Sequence, residues 1–250
     1  MFFSDFRDGL LAYRNALRII RNQSLWVYMI LPGLVCLAFG VLIYLVAKSS
    51  ASEIGAWAQH RYPWDVGAGL VVKLISFLGG AAVWAGALFT YKYIILIISG
   101  PFMSPLSERV EKFLTGKELI RSGYHPIRIT REVWRGIRIA LRNLIREFAL
   151  TVAIAICTGI IPFLAVVSGI LVFMIQAYFA GFGNLDFTLE RHFGVKGSVG
   201  FVRSYRGLAV GNGTIFLLLL MIPVIGPFLA PGLSTVAGTL EVVRRLEETP

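Results

Sequence analysis

The stretch FALTVAIAICTGIIPFLAVVSGILVFMIQAYFA, residues 148–180, decides the fold, because its 33 residues include no charged side chain. A helix rises about 1.5 Å per residue, so crossing a bilayer core of about 30 Å takes about 20 residues, and two crossings take about 40 plus a turn. The run fits neither length. Pro162 lacks a backbone N–H and disfavours helix at Ile161, which leaves arms of about 14 and 18 residues. We therefore predict a helical hairpin that enters and leaves the membrane by the same face.

A second proline-broken apolar stretch covers residues 209–240. Two uncharged arms, 209–221 and 228–240, flank a break around Pro223. Interrupted apolar segments in two parts of a chain point to a transport pathway, so Pro162 and Pro223 are candidates for a pathway or a structural network. The alternative is a pair of ordinary spanning helices with proline kinks, since a tilted helix absorbs extra length.

The composition is that of an integral membrane protein, with 56% hydrophobic and 15% charged residues. The formal net charge of +10 is accompanied by no nucleic-acid-binding pattern, so we expect no nucleic-acid partner. The three histidines are isolated and offer no metal-ligand spacing, and no catalytic constellation is present. We expect neither an enzyme nor a cofactor or metal site.

Two apolar runs earlier in the chain predict spanning helices. Residues 25–47 hold no charge, and residues 66–99 hold only two lysines, so each run is long enough to cross the bilayer. Tyr91-Lys92-Tyr93 is typical of an interfacial anchor, because aromatic rings and lysine favour the membrane surface. The polar residues 49–65 form an exposed loop between the two helices.

The distribution of basic residues predicts the orientation. Residues 100–147 hold ten Lys and Arg, and the segment before residue 25 holds four, whereas the connection between the first two helices holds only Lys48 and Arg61. By the positive-inside rule, the N-terminus and the central segment are cytoplasmic.

Basic amphipathic helices are predicted at residues 2–22 and within 104–147. In residues 2–22, apolar side chains recur every three or four positions while four arginines follow another face. Such a helix either lies on an anionic membrane surface or packs its apolar face against the protein. A stripe of arginines at 128, 131, 135, 138, 142 and 146 either contacts lipid phosphates or lines a vestibule that attracts anions.

The predicted fold is therefore an all-α integral membrane protein with a single membrane domain, residues 1–250. It has two long transmembrane helices, two proline-broken and partially penetrating hairpins, and basic amphipathic surface helices. The predicted units are an amphipathic helix at 2–22, transmembrane helices at 25–47 and 66–99, cytoplasmic basic helices at 104–147, and hairpins at 148–180 and 209–240.

Residues 98–111, ISGPFMSPLSERVE, form the most distinctive polar passage. Gly100 and Pro101 are expected to end the long helix, and Ser104 to cap a new one. Glu108 and Glu111 then share a face, compensated by the neighbouring Arg109 and Lys112. Further along, Asp186 and Glu190 share a helix face, and we expect Arg191 and His192 to form an ion-pair network with them. The candidates for a pathway or structural network are thus Gly100, Pro101, Glu108, Arg109, Glu111 and Asp186, together with the two break prolines.

This passage resembles the corresponding one in the bacterial CysZ sulfate-permease family and its eukaryotic relatives. Three other stretches are similar to the family as well: LWVYMILP at 25–32, YFAGFGNLDF at 178–187 and MIPVIGPFLAP at 221–231. The resemblance implies two long helices plus partially penetrating helix pairs. It also implies sulfate permeation that feeds cysteine synthesis, in the bacterial inner membrane.

The resemblance also implies an anion site at the start of the first long helix, where the family has Gly-Leu-Arg. Here the position is Ser24-Leu25-Trp26. Backbone amides and the Ser24 hydroxyl can receive an oxyanion, with Arg18 or Arg21 supplying charge. The candidate anion-binding residues are therefore Arg18, Arg21, Ser24 and Leu25.

Two functions are compatible with these features. The first is a permease or channel for a small inorganic oxyanion, sulfate above all, which supplies sulfur assimilation. The second is a non-transporting membrane organiser that binds lipids or partner proteins through its basic helices. Hairpins that do not span the bilayer need neighbours to cover their backbone ends, so we also expect a homo-oligomer in the lipid bilayer.

Overall fold

The computed structural model describes residues 2–61, 68–116, 126–222 and 224–248. The helices are α1 Phe2–Asn22, α2 Val27–Arg61, α3 Ala68–Thr115, α4 Pro126–Ile160, α5 Ala165–His192, α6 Val195–Ser204, α7 Arg206–Leu220 and α8 Ile225–Glu248. A 3-10 turn at Pro162–Leu164 joins α4 to α5. Throughout these described ranges the regular structure is helical, which confirms the predicted all-α membrane protein.

Helix α8 lies at the centre of the molecule. It packs against α1, α2, α3, α5 and α7, and every residue from 230 to 239 is buried. This segment is rich in small side chains, which allow five neighbouring helices to approach its backbone closely.

Helix α7 is held between α1 and α5 by small residues on two of its sides. A Cβ added to Gly211 would stand 2.3 Å from the carbonyl oxygen of Phe6 in α1. A Cβ added to Gly213 would stand 1.8 Å from the carbonyl oxygen of Ala177 in α5. Because neither position has room for a side chain, glycine at both positions allows the close approach of α7 to α1 and α5.

Helix α1 packs against α7 and α8 through a face of mostly small residues rather than through its most apolar face. Its buried positions include Gly9, Ala12 and Ala16, whereas Phe3 and Leu17 are exposed. Of the two interpretations of this helix, packing against the protein is therefore confirmed. The exposed Phe3 and Leu17 remain available to face lipid.

The first proline break lies where the sequence predicts it, because α4 ends at Ile160 and the 3-10 turn begins at Pro162. The second break separates Leu220 from Ile225, and in it Val224 adopts a left-handed backbone with φ of 65°. Pro223 itself lies outside the described residues.

The arms of the first hairpin are longer than its uncharged run. Among the residues that the structure describes, three segments are long and apolar enough to cross a membrane by length and composition: Val27–Ser50, Trp134–Ile160 and Val167–His192. Each arm continues beyond the uncharged run into a more polar part of the same helix, so the arm lengths do not require partial penetration. Partial penetration of both hairpins stays a prediction.

The predicted ends of the two long helices need correction. Helix α2 continues to Arg61, so residues 49–61 are helical rather than a loop. The remaining residues of the predicted loop, 62–65, lie outside the described residues. Helix α3 continues through Pro101 and Pro105 to Thr115, so Ser104 caps no new helix. A proline inside a helix costs about 3 kcal/mol. Complete burial of Met103 and Leu106 against α1, α2 and α8 offsets this cost.

The predicted unit of basic helices at 104–147 is consequently divided. Residues 104–115 complete α3, and residues 126–147 form the first half of α4, whose second half is the apolar arm of the first hairpin. Residues 117–125 lie outside the described part of the chain.

Candidate functional site

Glu111 of α3 and Arg191 of α5 form a buried ion pair at the cytoplasmic end predicted for these helices. The Arg191 Nε and a terminal nitrogen donate to Glu111 Oε2 at 2.8 and 2.7 Å, and His192 Nε2 lies 2.7 Å from Oε1. The side chains of Glu111 and Arg191 are only 3% and 2% exposed. Burial raises the pKa of the Glu111 carboxyl, but the His192 hydrogen bond and the Arg191 charge outweigh burial and bring this pKa below its usual value.

A chain of hydroxyl groups continues from Arg191 across the core. Arg191 donates to the Ser107 hydroxyl at 2.5 Å and to the Phe187 carbonyl at 2.8 Å. The hydroxyl of Thr188 lies 2.9 Å from that of Ser107, and Thr239 of α8 lies 2.9 Å from Thr188 and 3.1 Å from Ser107. The ion pair is thereby connected to the central helix.

A second arginine, Arg135 of α4, organises the neighbouring polar group. Its two terminal nitrogens donate to the Asp186 carboxylate at 2.7 and 3.1 Å, and one of them donates to the Ser198 hydroxyl at 2.8 Å. Glu190 lies 3.7 Å from Arg135 and accepts a hydrogen bond from Ser104 of α3. Carboxylates and hydroxyl groups thus link the two arginine centres; we call the whole set the polar network.

The polar network reaches a cavity at the Arg135 side. The cavity has a volume of about 290 Å³ and is lined by Trp134, Arg135, Arg138, Gly194 and Val195. Arg138 is exposed, and the Arg135 side chain is 15% exposed. An anion that entered this cavity would first contact the guanidinium groups of Arg135 and Arg138, which line it.

In the polar network, the protein's carboxylates and a free oxyanion can compete for the same guanidinium donors. A guanidinium group presents paired donors that fit a carboxylate and a tetrahedral oxyanion equally well. In this structure Glu111 and Asp186 occupy the donors of Arg191 and Arg135. A sulfate-like ion could therefore replace either carboxylate without leaving a guanidinium unpaired.

The predicted anion site at the junction of α1 and α2 lies on the backbone turn that ends α1. Ser24 is exposed and left-handed with φ of 53°, and the Leu25 amide donates to the Ile20 carbonyl at 3.0 Å. Leu25 and Ile20 are both buried in the same core cluster. This arrangement is a Schellman cap, which uses the Leu25 amide to end α1. Of the four candidates, the exposed Arg18, Arg21 and Ser24 can meet an anion.

The other predicted site residues are partly brought together. Glu111 and Asp186 belong to the polar network, but the partners of Glu111 are Arg191 and His192 rather than Arg109 and Lys112. The Arg109 guanidinium instead lies 5.1 Å from the centroid of the Tyr28 ring. The remaining positions lie as follows: Glu108 is half-buried, Gly100 and Pro101 lie inside α3, Pro162 begins the 3-10 turn, and Pro223 is outside the described residues.

Sequence reasoning missed a second buried ion pair. Lys92, expected as an interfacial anchor, is buried and donates to Glu147 of α4, whose other oxygen accepts from Tyr93 at 2.6 Å. The signal available in the sequence was a single acid, Glu147, at the boundary between the arginine stripe and the apolar run. In the part of the chain that the structure describes, no group of three or more His, Cys, Asp or Glu side chains could hold a metal ion.

An all-α protein whose described residues include three helices long and apolar enough to cross a bilayer is an integral membrane protein. The family model described as "Sulfate transporter CysZ/Etoposide-induced protein 2.4" matches residues 12–231, and the chain belongs to this family. The resemblance predicted from the sequence motifs is confirmed. A comparison with curated proteins finds no match. The description of this family names a sulfate transporter.

Proposed function

We propose that the protein is a permease or channel for a small inorganic oxyanion, sulfate above all, in the bacterial inner membrane, where it supplies sulfur assimilation. The observation that carries the proposal is the burial of Arg191, 2% exposed, in the polar network at the end of α5, a long and largely apolar helix. Charged groups inside a membrane protein are costly to bury and mark ion pathways. Family membership supports the same class of function.

The polar network suggests how such a pathway would be kept closed. Glu111 and Asp186 act as tethered anions that hold the two arginines until a free anion competes for them. His192, whose side chain is 31% exposed, connects Glu111 to the surface. Arg18, Arg21 and Ser24 form the proposed mouth at the α1–α2 junction. The proposal includes a cytoplasmic N-terminus and an assembly of several copies.

The test is the uptake of radiolabelled sulfate into liposomes that contain the purified protein, with chloride and phosphate as competitors. We expect saturable uptake that falls on the order of tenfold or more in Arg191→Lys and Arg135→Lys, because lysine keeps the charge but loses the paired donors. Arg18→Ala with Arg21→Ala should also lower uptake. Arg7→Lys, an exposed arginine of α1, is the matched control.

A folded and inserted sample without uptake above empty liposomes would contradict the permease. That result would favour the alternative, a non-transporting organiser that binds lipids or partner proteins. Size-exclusion chromatography of each variant separates a transport defect from misfolding.

A further inference from the structure

Four arginines from three helices lie near enough to Tyr178 of α5 for their charges to act on its side chain. Arg142 and Arg146 lie on α4, Arg203 lies near the end of α6, and Arg206 begins α7. The charges of all four act on the Tyr178 phenol, and Arg142 lies within electrostatic range of Arg146 and Arg203. We call these four residues the arginine cluster.

No carboxylate neutralises the arginine cluster within the ranges that the structure describes. Arg142 donates to the Asn143 side chain at 2.9 Å, and Arg206 donates to the Arg203 carbonyl at 3.0 Å. Arg146, Arg203 and Arg206 are exposed. Since the four like charges repel one another, a bound anion would stabilise the cluster.

An exposed apolar stripe begins at the arginine cluster and follows α5. From Tyr178 back towards the proline break, Met174, Leu171 and Val167 recur at helical spacing and are 37%, 46% and 46% exposed. On α4, Ile145 is 59% exposed beside Arg146. A cationic group at one end of an apolar stripe matches an amphiphile with an anionic head and hydrocarbon chains.

The distance between the arginine cluster and the proline break also fits the position of a lipid headgroup. Arg146 precedes the end of α4 by 14 residues, and Tyr178 follows the start of α5 by 13. At about 1.5 Å per residue the cluster stands roughly 20 Å from the break. Half of a bilayer, headgroups included, measures roughly the same. The cluster therefore lies at headgroup level when the break lies near the bilayer centre.

We propose that the arginine cluster binds the phosphate of an anionic phospholipid, whose acyl chains lie along Met174, Leu171 and Val167. This site is separate from the polar network and goes beyond the proposed permease function. A free sulfate or phosphate shares the oxyanion chemistry but leaves the apolar stripe uncovered, so the surface favours the lipid.

The test uses the full chain purified in a neutral detergent, with dioleoyl phosphatidylglycerol or dioleoyl phosphatidylcholine added. Native mass spectrometry counts bound lipid, and thermal unfolding reports its effect on stability. We expect phosphatidylglycerol, but not phosphatidylcholine, to bind and to raise the unfolding temperature. The variant Arg203→Gln with Arg206→Gln should weaken binding on the order of fivefold for each arginine.

The matched control is Arg7→Gln with Arg14→Gln, which removes two exposed arginines from α1. This variant should bind phosphatidylglycerol as the unaltered protein does. Equal weakening in both variants would overturn the proposal, because it would indicate a general charge effect. Displacement of the lipid by millimolar sulfate or inorganic phosphate, with the same rise in unfolding temperature, would also overturn it in favour of a free-ion site. Sulfate uptake does not enter this test, so its outcome is independent of the permease.

Discussion

The carbonyl oxygen of Ala177 in α5 lies 1.8 Å from the point where a Cβ on Gly213 of α7 would stand. The contact has a counterpart, since a Cβ on Gly181 would stand 1.8 Å from the carbonyl oxygen of Ala209. Gly213→Ala must therefore separate two helix backbones, which costs about 1–3 kcal/mol in a packed core. We expect a lower unfolding temperature in detergent, measured by the loss of helical circular dichroism.

Gly200→Ala in α6 is the matched control, because nothing lies within 4 Å of the added Cβ. Alanine is a better helix former than glycine by about 1 kcal/mol, so this variant should be as stable as the unaltered protein or slightly more so. An equal loss of stability in both variants would contradict close α5–α7 packing as the cause.

The proline breaks of this fold could be predicted from the sequence, whereas the continuity of α3 could not. Pro162 falls between two apolar runs, and local backbone preference decides the outcome there. Pro101 and Pro105 have the same local preference. Their helix nevertheless continues through both positions, because Met103 and Leu106 are completely buried against helices that are distant in sequence.

Ser24→Gly should stabilise the protein. Ser24 has φ of 53°, a left-handed conformation that costs a residue with a Cβ about 1–2 kcal/mol and costs glycine little. Glycine is also the first residue of the Gly-Leu-Arg motif to which the resemblance with the CysZ family aligns Ser24. We expect a higher unfolding temperature in detergent.

Ser24→Ala is the control for this prediction, because alanine removes the hydroxyl while keeping the Cβ. If alanine stabilised the protein as much as glycine, the hydroxyl rather than the backbone would be responsible. Sulfate uptake by the same two variants would show whether the Ser24 hydroxyl serves the proposed mouth.

The partners within the polar network could not be predicted, because they come from distant parts of the chain. Glu111 has two basic neighbours nearby in sequence, Arg109 and Lys112, although residues one or two positions apart do not face each other on a helix. The helix instead turns Glu111 into the core, where Arg191 reaches it from α5. The arginine stripe predicted a basic face for α4, but only the packing of α4 against α5 shows that Arg135 is paired and Arg142 is not.

Glu111→Gln should destabilise the protein strongly at neutral pH, because it leaves Arg191 buried without its counter-charge. Breaking a buried ion pair costs about 3–5 kcal/mol. The folded-state pKa of Glu111 lies below its ordinary value, so its stabilising contribution is present above pH ~4.5 and is lost as pH falls through the folded-state pKa.

Unfolding temperatures of Glu111→Gln and of the unaltered protein should therefore converge as the pH falls through the lowered folded-state pKa of Glu111. Glu108→Gln, a half-buried acid one turn earlier on α3, is the control and should lower the unfolding temperature much less. A pH-independent difference between Glu111→Gln and the unaltered protein would contradict the ion pair as its source.

Glu241 of α8 should show the opposite pH dependence. Burial raises the pKa of its carboxyl to about 7, although Arg244, 2.6 Å from the carboxylate, favours the ionised form. The folded state therefore holds this proton more tightly than the unfolded chain does. Between pH ~4.5 and ~7 stability should fall as pH rises, by up to about 3 kcal/mol, and it should then level off.

Glu241→Gln should remove this fall, because glutamine does not titrate. The measurement is the unfolding temperature at pH 5, 6, 7 and 8 for the variant and the unaltered protein. Glu247→Gln, an exposed acid on the same helix, controls for the loss of one negative charge and should keep the original slope. If Glu241→Gln kept that slope as well, a group other than Glu241 would be responsible for the loss of stability between pH 5 and 7.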